Sequence, residues 1–313
     1  MSVKSVTAML ACAIGVTTGA SATTITQSGY MPLFNGIDSE TATISNSVAY
    51  IDRIDLTVSG IGFIVTPQSG PLATTAQTTA QFRASTGSQL AINANFFAPC
   101  CVAAAEPKSL IGLSVSRGSV VSAPAYGSDD AAASLLLTRS NQASITSFTS
   151  VGQTDLSNVY NAVSGNIILS NGVDTSAITP TGAPHDPFGL DPRTDVGVSQ
   201  DGRYLFLLTI DGRQPGYSAG ITTSDAASLL LAVGAYNGLN LDGGGSTALD
   251  VANAIGGDVT VNRPSGGAER YDGNNLGVFA QPVPEPWSIG LFGAGLAGLF
   301  ILRRRSGLVS RPC

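Results

Sequence analysis

Two carboxylates follow apolar runs in the same local pattern. Tyr204-Leu205-Phe206-Leu207-Leu208-Thr209-Ile210 leads into Asp211-Gly212-Arg213, and Leu239-Asn240-Leu241 leads into Asp242-Gly243-Gly244-Gly245-Ser246-Thr247. Short apolar runs of this kind read as buried strands, so each carboxylate is expected where a strand leaves a sheet. Two Asp side chains at one rim can share the roles of acid and base, or acid and nucleophile, around a glycosidic bond. Consecutive glycines let another molecule approach the backbone, and free N–H groups at such a turn form an anion nest. Arg193 and Arg213 add guanidiniums able to hold phosphate through two parallel hydrogen bonds. A divalent cation between Asp211 and Asp242 is a variant that the spacing permits and does not demand. Asp-Gly after an apolar run is also the signature of a plain tight turn. The triple glycine sets Asp242 apart from that reading.

Two other chemistries compete for the glycine loop. Gly243-Gly244-Gly245-Ser246-Thr247-Ala248 fits the spacing of a dinucleotide loop, which needs a following helix. Gly256-Gly257 cut short any helix begun there. Gly244-Gly245-Ser246-Thr247-Ala248 is one residue away from a nucleophile elbow, whose histidine follows the serine. The single histidine, His185, precedes it. The carboxylate reading survives both comparisons.

The elements that must position these groups are mostly strands. Charged residues make up 12% of the 313 and aromatic residues 6%, with 37 glycines. Alternation predicts a strand over 49–58; 62–67 reads as the next strand, stopped by proline, 90–97 is another strand candidate, and 111–115 with 118–121 form a hairpin around Ser116-Arg117. Further strands are expected at 132–137, 145–148, 166–169, 193–198, 204–210, 259–261 and 276–279. One short helix is expected at 78–86. A second opens at Thr222-Thr223-Ser224, carries Ala226, Leu229, Leu230 and Val233 at helical spacing, and ends at Gly238. Asn93 and Asn95, set between apolar residues, need buried partners and are either structural or part of a site.

Both ends read as addresses. Lys4, the apolar stretch 6–16 and Ala20-Ser21-Ala22 form a signal peptide over 1–22, and residues 23–46 a polar leader or edge strand. Residues 287–302 are apolar and end in Arg303-Arg304-Arg305, the arrangement that leaves the far end in the cytoplasm. An ordinary single-pass anchor is the simpler alternative. Formal net charge is −6, and loss of both ends takes it to about −10. An acidic surface repels phosphate backbones, which argues against nucleic acid as a partner. Cys100 and Cys101 are the only cysteines between the two end segments, and adjacency leaves them paired, free, or bridged between chains.

Val283-Pro284-Glu285-Pro286, the short apolar segment and the arginines together closely resemble the PEP-CTERM sorting signal, here residues 281–313. That resemblance implies an exopolysaccharide-producing Gram-negative bacterium, passage through the inner membrane and signal peptidase, and processing by an exosortase. Asn93-Ala94-Asn95-Phe96-Phe97, Pro192-Arg193-Thr194, Asp211-Gly212-Arg213, Ser218-Ala219-Gly220, Asn240 to Ser246 and Asn262-Arg263-Pro264-Ser265 resemble the phosphodiester glycosidase domain over residues 47–280. The family implies one α+β catalytic domain, mixed α/β with a mixed sheet and few helices; periodicity alone gives β-rich with at least one helix. It also implies removal of a sugar from a sugar-1-phosphodiester, without a required cofactor. The family pattern does not dictate individual roles; from the chemistry of the residues, Asp242, Asp211 and Arg193 are assigned as catalytic. Asn93, Asn95, Arg213, Ser218, Asn240, Gly243, Gly244, Gly245, Ser246, Thr247, Asn262 and Arg263 bind substrate. Asp195 departs from the small residue the family places after Arg-Thr and adds a carboxylate beside Arg193. The alternative is a surface or matrix protein that keeps the fold to bind carbohydrate without turning it over.

Overall fold

The computed structural model describes residues 23–101, 104–126, 131–150, 154–176, 189–253 and 257–283. The signal peptide, His185, Pro284-Glu285-Pro286 and the apolar segment after them lie outside the described residues. No helix among the described residues is long and apolar enough to cross a membrane.

Four layers build the domain: helix, large sheet, smaller sheet, helix. The large sheet runs, in order, through the strands Ile37–Ile44, Ser47–Asp55, Tyr204–Ile210, Arg193–Ser199, Ala235–Asn240 and Asn161–Ser170. The smaller runs through Asp258–Thr260, Leu249–Ala252, Leu90–Asn93, Asn275–Phe279 and Gly62–Val65. Their facing sides bury Ile54, Leu90, Ile92, Leu207, Leu239, Leu241 and Leu276 in one core. The helix Thr223–Val233 covers the outer face of the large sheet, with Leu229 and Leu230 against Phe206, Leu208 and Ile210. The helix Thr79–Thr86 covers the smaller sheet, where Phe82 packs on Ile64 and Ala91. Covering both faces explains why Tyr204–Ile210 and Arg193–Ser199 are apolar or buried almost throughout rather than alternating.

Each helix begins at a threonine whose hydroxyl accepts the N3 amide in a reciprocal capping box, Thr78 with Gln81 and Thr222 with Asp225. Buried Arg83 then ties the first helix to Asp250 of the smaller sheet at 2.7 Å.

Three expectations change. The second helix ends at left-handed Gly234, not Gly238. Gly238 instead sits in the strand Ala235–Asn240, where a Cβ would stand 2.5 Å from Leu230 Cδ1, so its bareness lets the helix lie close on the sheet. Of the leader or edge strand expected at 23–46, strands are what form: Ile25–Gln27 lies at the sheet edge against residues 42–44, and Ile37–Ile44 pairs residue for residue with Ser47–Ile54. Finally, the α and β content is as expected, but every hydrogen-bonded strand pair among the described residues is antiparallel, so the sheet is not mixed. Hairpins make some of these pairs, Ile37–Ile44 with Ser47–Asp55 and Arg193–Ser199 with Tyr204–Ile210, while the helix Thr223–Val233 carries the chain from Tyr204–Ile210 across to the far side of Arg193–Ser199.

Candidate active site

Arg193 pairs with Ile210 on one side, and Asp195 pairs with Asn240 on the other. The strands that precede Asp211 and Asp242 therefore run in the same direction, with the strand that begins at Arg193 between them. All three residues reach one rim. The rim is joined to the smaller sheet by Asn93. Its side-chain amide donates to the Asp242 carbonyl at 2.6 Å, and its oxygen accepts from Thr194 Oγ1 at 2.6 Å and Ala248 N at 3.2 Å. Asp242 N donates in turn to the Ala94 carbonyl.

A cavity of about 420 Å³ opens at this rim, a size suited to a small ligand. Asp242, Asp191, Asn240, Gly243, Gly244, Gly245, Arg193, Arg213 and Arg270 form its polar lining. Phe96, Phe97, Ile111 and the Cys100–Cys101 disulfide form its apolar side. The adjacent cysteines are thus bonded to each other rather than free or bridging chains.

Asp242 is buried, and burial pushes its carboxyl up to about 6. Ser246, Arg270 and the Gly243 N–H hold it from rising further, the last at 2.9 Å. Behind it lies Asp272, 1% exposed, with no hydrogen-bond partner on either carboxylate oxygen. Burial and the neighbouring Asp242 charge raise Asp272 well above the usual range, while Ser246 and Arg270 oppose the rise. The two carboxyls share one buried site whose charges oppose each other, with the protonated form favoured more at Asp272 than at Asp242.

Arg270 Nη1 donates to Ser246 Oγ at 3.2 Å and to Cys100 Sγ at 3.8 Å, bridging the polar and apolar sides. Arg213 has positive φ of 57° and pairs with Asp191 at 2.8 Å. Arg193 is 4% exposed and is held by the carbonyls of Ile221 and Gly189 at 3.0 and 2.9 Å. The glycine loop is not an open anion nest. The N–H groups of Gly243, Gly244, Ser246 and Thr247 donate to acceptors of the protein itself. What the bare loop does is admit two guanidiniums. A Cβ on Gly244 would stand 3.1 Å from Arg213 Nη1, and one on Gly245 would meet Arg270 Nη2. The positive charge comes from arginine.

Asp211 does not line the cavity. Its carboxylate accepts from Arg263 N at 2.9 Å, Asn262 Nδ2 at 3.1 Å and the Tyr217 hydroxyl at 3.0 Å. Those donors occupy the oxygens a cation between Asp211 and Asp242 would need, and no cluster suited to a metal occurs among the described residues. Ser218 donates to the Asp211 carbonyl at 2.6 Å, and Arg263 lies over the Tyr217 ring at 5.0 Å. Asn262 also holds Thr247 O and accepts from Leu249 N. Thr247 is buried beside them. These residues fasten the loops around the rim.

Asn95 has the same structural character. It donates to the carbonyls of Ile111 and Leu113 and accepts from Ser164 and Asn274. Its bonds fix the backbone beside the apolar wall. Asp195 is wholly buried and unpartnered, raised to about 7 by burial and eased by Arg193. It stands behind Arg193 rather than in the cavity. Sequence reasoning missed Arg270 and Asp272. Asp272-Gly273 repeats the Asp-Gly pair of the two flagged sites, but the polar residues before it hid the match.

Residues 86–279 match the phosphodiester glycosidase family. The chain belongs to that family. Residues 282–305 match the PEP-CTERM protein-sorting motif, which implies cell-surface sorting in exosortase-bearing bacteria. The domain has the fold of the catalytic domain of zebrafish N-acetylglucosamine-1-phosphodiester alpha-N-acetylglucosaminidase, a structure auto-inhibited by its pro-peptide. That likeness has a TM-score of 0.57 at 17% identity and covers 83% of this chain and 84% of the other. A protein from Synechocystis matches with a TM-score of 0.55 at 16% identity, over 79% of this chain and 62% of that one. The SPbeta prophage-derived protein YomE of Bacillus subtilis is 42% identical over 79 residues, 25% of this chain and 11% of its own length. The chain thus spans about a tenth of that curated relative.

Proposed function

We propose that this member of the family is an exported hydrolase that cleaves a sugar-1-phosphodiester, of N-acetylglucosamine or a related sugar, in extracellular or envelope glycans. The observation that carries the reading is Asp242 sharing one cavity with Arg193, Arg213 and Arg270. The arginines take the phosphodiester and neutralise the charge that gathers on the departing phosphate. Because that leaving group is already an anion held by cations, it needs no proton from an acid. Ionised Asp242 takes the proton of a water as its oxygen bonds to the anomeric carbon. The bond from that carbon to the phosphate oxygen breaks, and its electron pair leaves with the phosphate. A carboxyl held near 6 is ionised at neutral pH and still basic enough for this task.

Signal peptidase and an exosortase are the processing partners, and the released or surface-held domain works outside the inner membrane. The test offers the purified domain an N-acetylglucosamine-1-phosphodiester of a simple alcohol. Free sugar and an alkyl phosphate are the expected products, and Asp242→Asn stops their release. Sugar phosphate as the product would show cleavage on the other side of phosphorus and overturn the reading. Saturable binding without turnover would favour the carbohydrate-binding alternative.

A further inference from the structure

The Cys100–Cys101 disulfide closes a loop of only two residues. A crosslink stabilises a fold chiefly by restricting the unfolded chain, and the restriction grows with the length of loop closed. One residue of separation restricts almost nothing. Both cysteines are also exposed, so they add no core. Their position suggests another role. They line the cavity together with Phe96, Phe97 and Ile111, of which Ile111 is 36% exposed, and Arg270 links them to the glycine loop. Exposed sulfurs and Ile111 beside three guanidiniums and two carboxylates, Asp242 and the Asp191 that pairs with Arg213, mark a surface that meets a ligand.

We infer that the disulfide is a binding platform for the carbohydrate ring, resting on the sugar-phosphodiester reading of the site. A pyranose has one face rich in C–H groups and a rim of hydroxyls. The C–H face lies on the S–S pair and Ile111, while the phosphate turns toward Arg193 and Arg213. As a disulfide the two sulfurs carry no S–H donors and are held to a single surface. As two thiols they rotate independently, and that surface is lost. Arg270, touching both Cys100 Sγ and Ser246 Oγ, sets the platform against the Asp242 side of the cavity. The oxidising compartment outside the inner membrane is where such a bond persists.

The experiment compares three forms of the exported domain by calorimetry: oxidised, reduced with dithiothreitol, and Cys100→Ser/Cys101→Ser. In the reduction, two dithiothreitol thiols pass two electrons to the S–S bond, giving two cysteine thiols and cyclic oxidised dithiothreitol. The probes are N-acetylglucosamine 1-phosphate and inorganic phosphate. Sugar phosphate is expected to bind about tenfold more weakly to the reduced and serine forms, the loss for roughly 50 Å² of apolar contact. Phosphate should bind all three within twofold. Sugar phosphate should also slow reduction of the disulfide, read by alkylation and mass, whereas phosphate should not. The reduced wild type supplies the comparison even where the double variant folds poorly. Equal sugar-phosphate binding by all three forms overturns the platform and leaves the glycosidase reading standing. Failure of the oxidised form to bind either probe overturns both.

Discussion

The guanidinium of Arg270 lies over the Cα of Gly245, in the space a side chain at that position would occupy. Gly245 does not have positive φ, so alanine there brings no backbone strain, only this collision. The colliding atom ends a flexible side chain, so the collision is relieved by moving Arg270 away. Gly245→Ala should change unfolding free energy by less than about 1 kcal/mol. It should lower kcat/KM by about 100-fold, the scale for losing one charge-stabilising donor. A urea titration alongside steady-state kinetics reads both. Unchanged activity would remove Arg270 from the machinery.

Asp242 and Asp272 are both buried, yet they should respond differently to the same substitution. Asp242 must carry a charge, so Asp242→Asn should reduce turnover by at least about 1,000-fold. Asp272 is held protonated, and an amide imitates a protonated acid, so Asp272→Asn should keep activity within about tenfold. Wild-type kcat/KM should rise with pH through about 6, where Asp242 ionises. A profile that falls through 6, or an Asp272→Asn variant as dead as Asp242→Asn, would reverse the assignment.

Asp211 should matter for folding before chemistry. Asn in its place puts an NH2 against the Arg263, Asn262 and Tyr217 donors, each now within 3.1 Å of a carboxylate oxygen. Loss of such bonds to a charged acceptor should cost about 3 kcal/mol in a chemical denaturation. Activity per folded molecule should fall far less than in Asp242→Asn. A variant of native stability with no activity would return Asp211 to the catalytic pair.

Asp52 and Asp195 are wholly buried without hydrogen-bond partners, and burial raises both to about 7. The folded protein then holds protons that the unfolded chain, with a carboxylate near 4, releases. Their contribution to stability is full below about 4 and is lost as pH rises through 7. The urea midpoint should therefore be higher at pH 5 than at pH 8, and Asp52→Asn/Asp195→Asn should flatten the difference. A midpoint that climbs between those values would contradict the buried-acid account.

Much of the architecture was readable along the chain because it is written in local pattern. Alternation over 49–58 marked the strand Ser47–Asp55, apolar runs marked Gly62–Val65 and Tyr204–Ile210, and capping residues marked the start of the second helix. The sorting signal and the family stretch are linear motifs, and the comparisons agree with both. Only the end of the strand Ala235–Asn240 was legible; its first residues read as helix because Gly238 looks like a helix stop until Leu230 is seen lying on it.

The chain alone placed Asp242 after a strand and before a bare loop, put arginines and apolar residues in its company, and carried a PEP-CTERM sorting motif. Those follow from residue types over a few positions. What separates the other two carboxylates is tertiary contact: Asp272 comes against Asp242, and Asp211 is tied into the loops. Asp211 and Asp272 carry the same Asp-Gly signature, and sequence spacing cannot tell whether donors surround a carboxylate. Folding surrounds Asp211 with an amide, a hydroxyl and a backbone N–H. It leaves Asp272 bare against Asp242, some thirty residues away along the chain, because the smaller sheet closes over the rim of the larger.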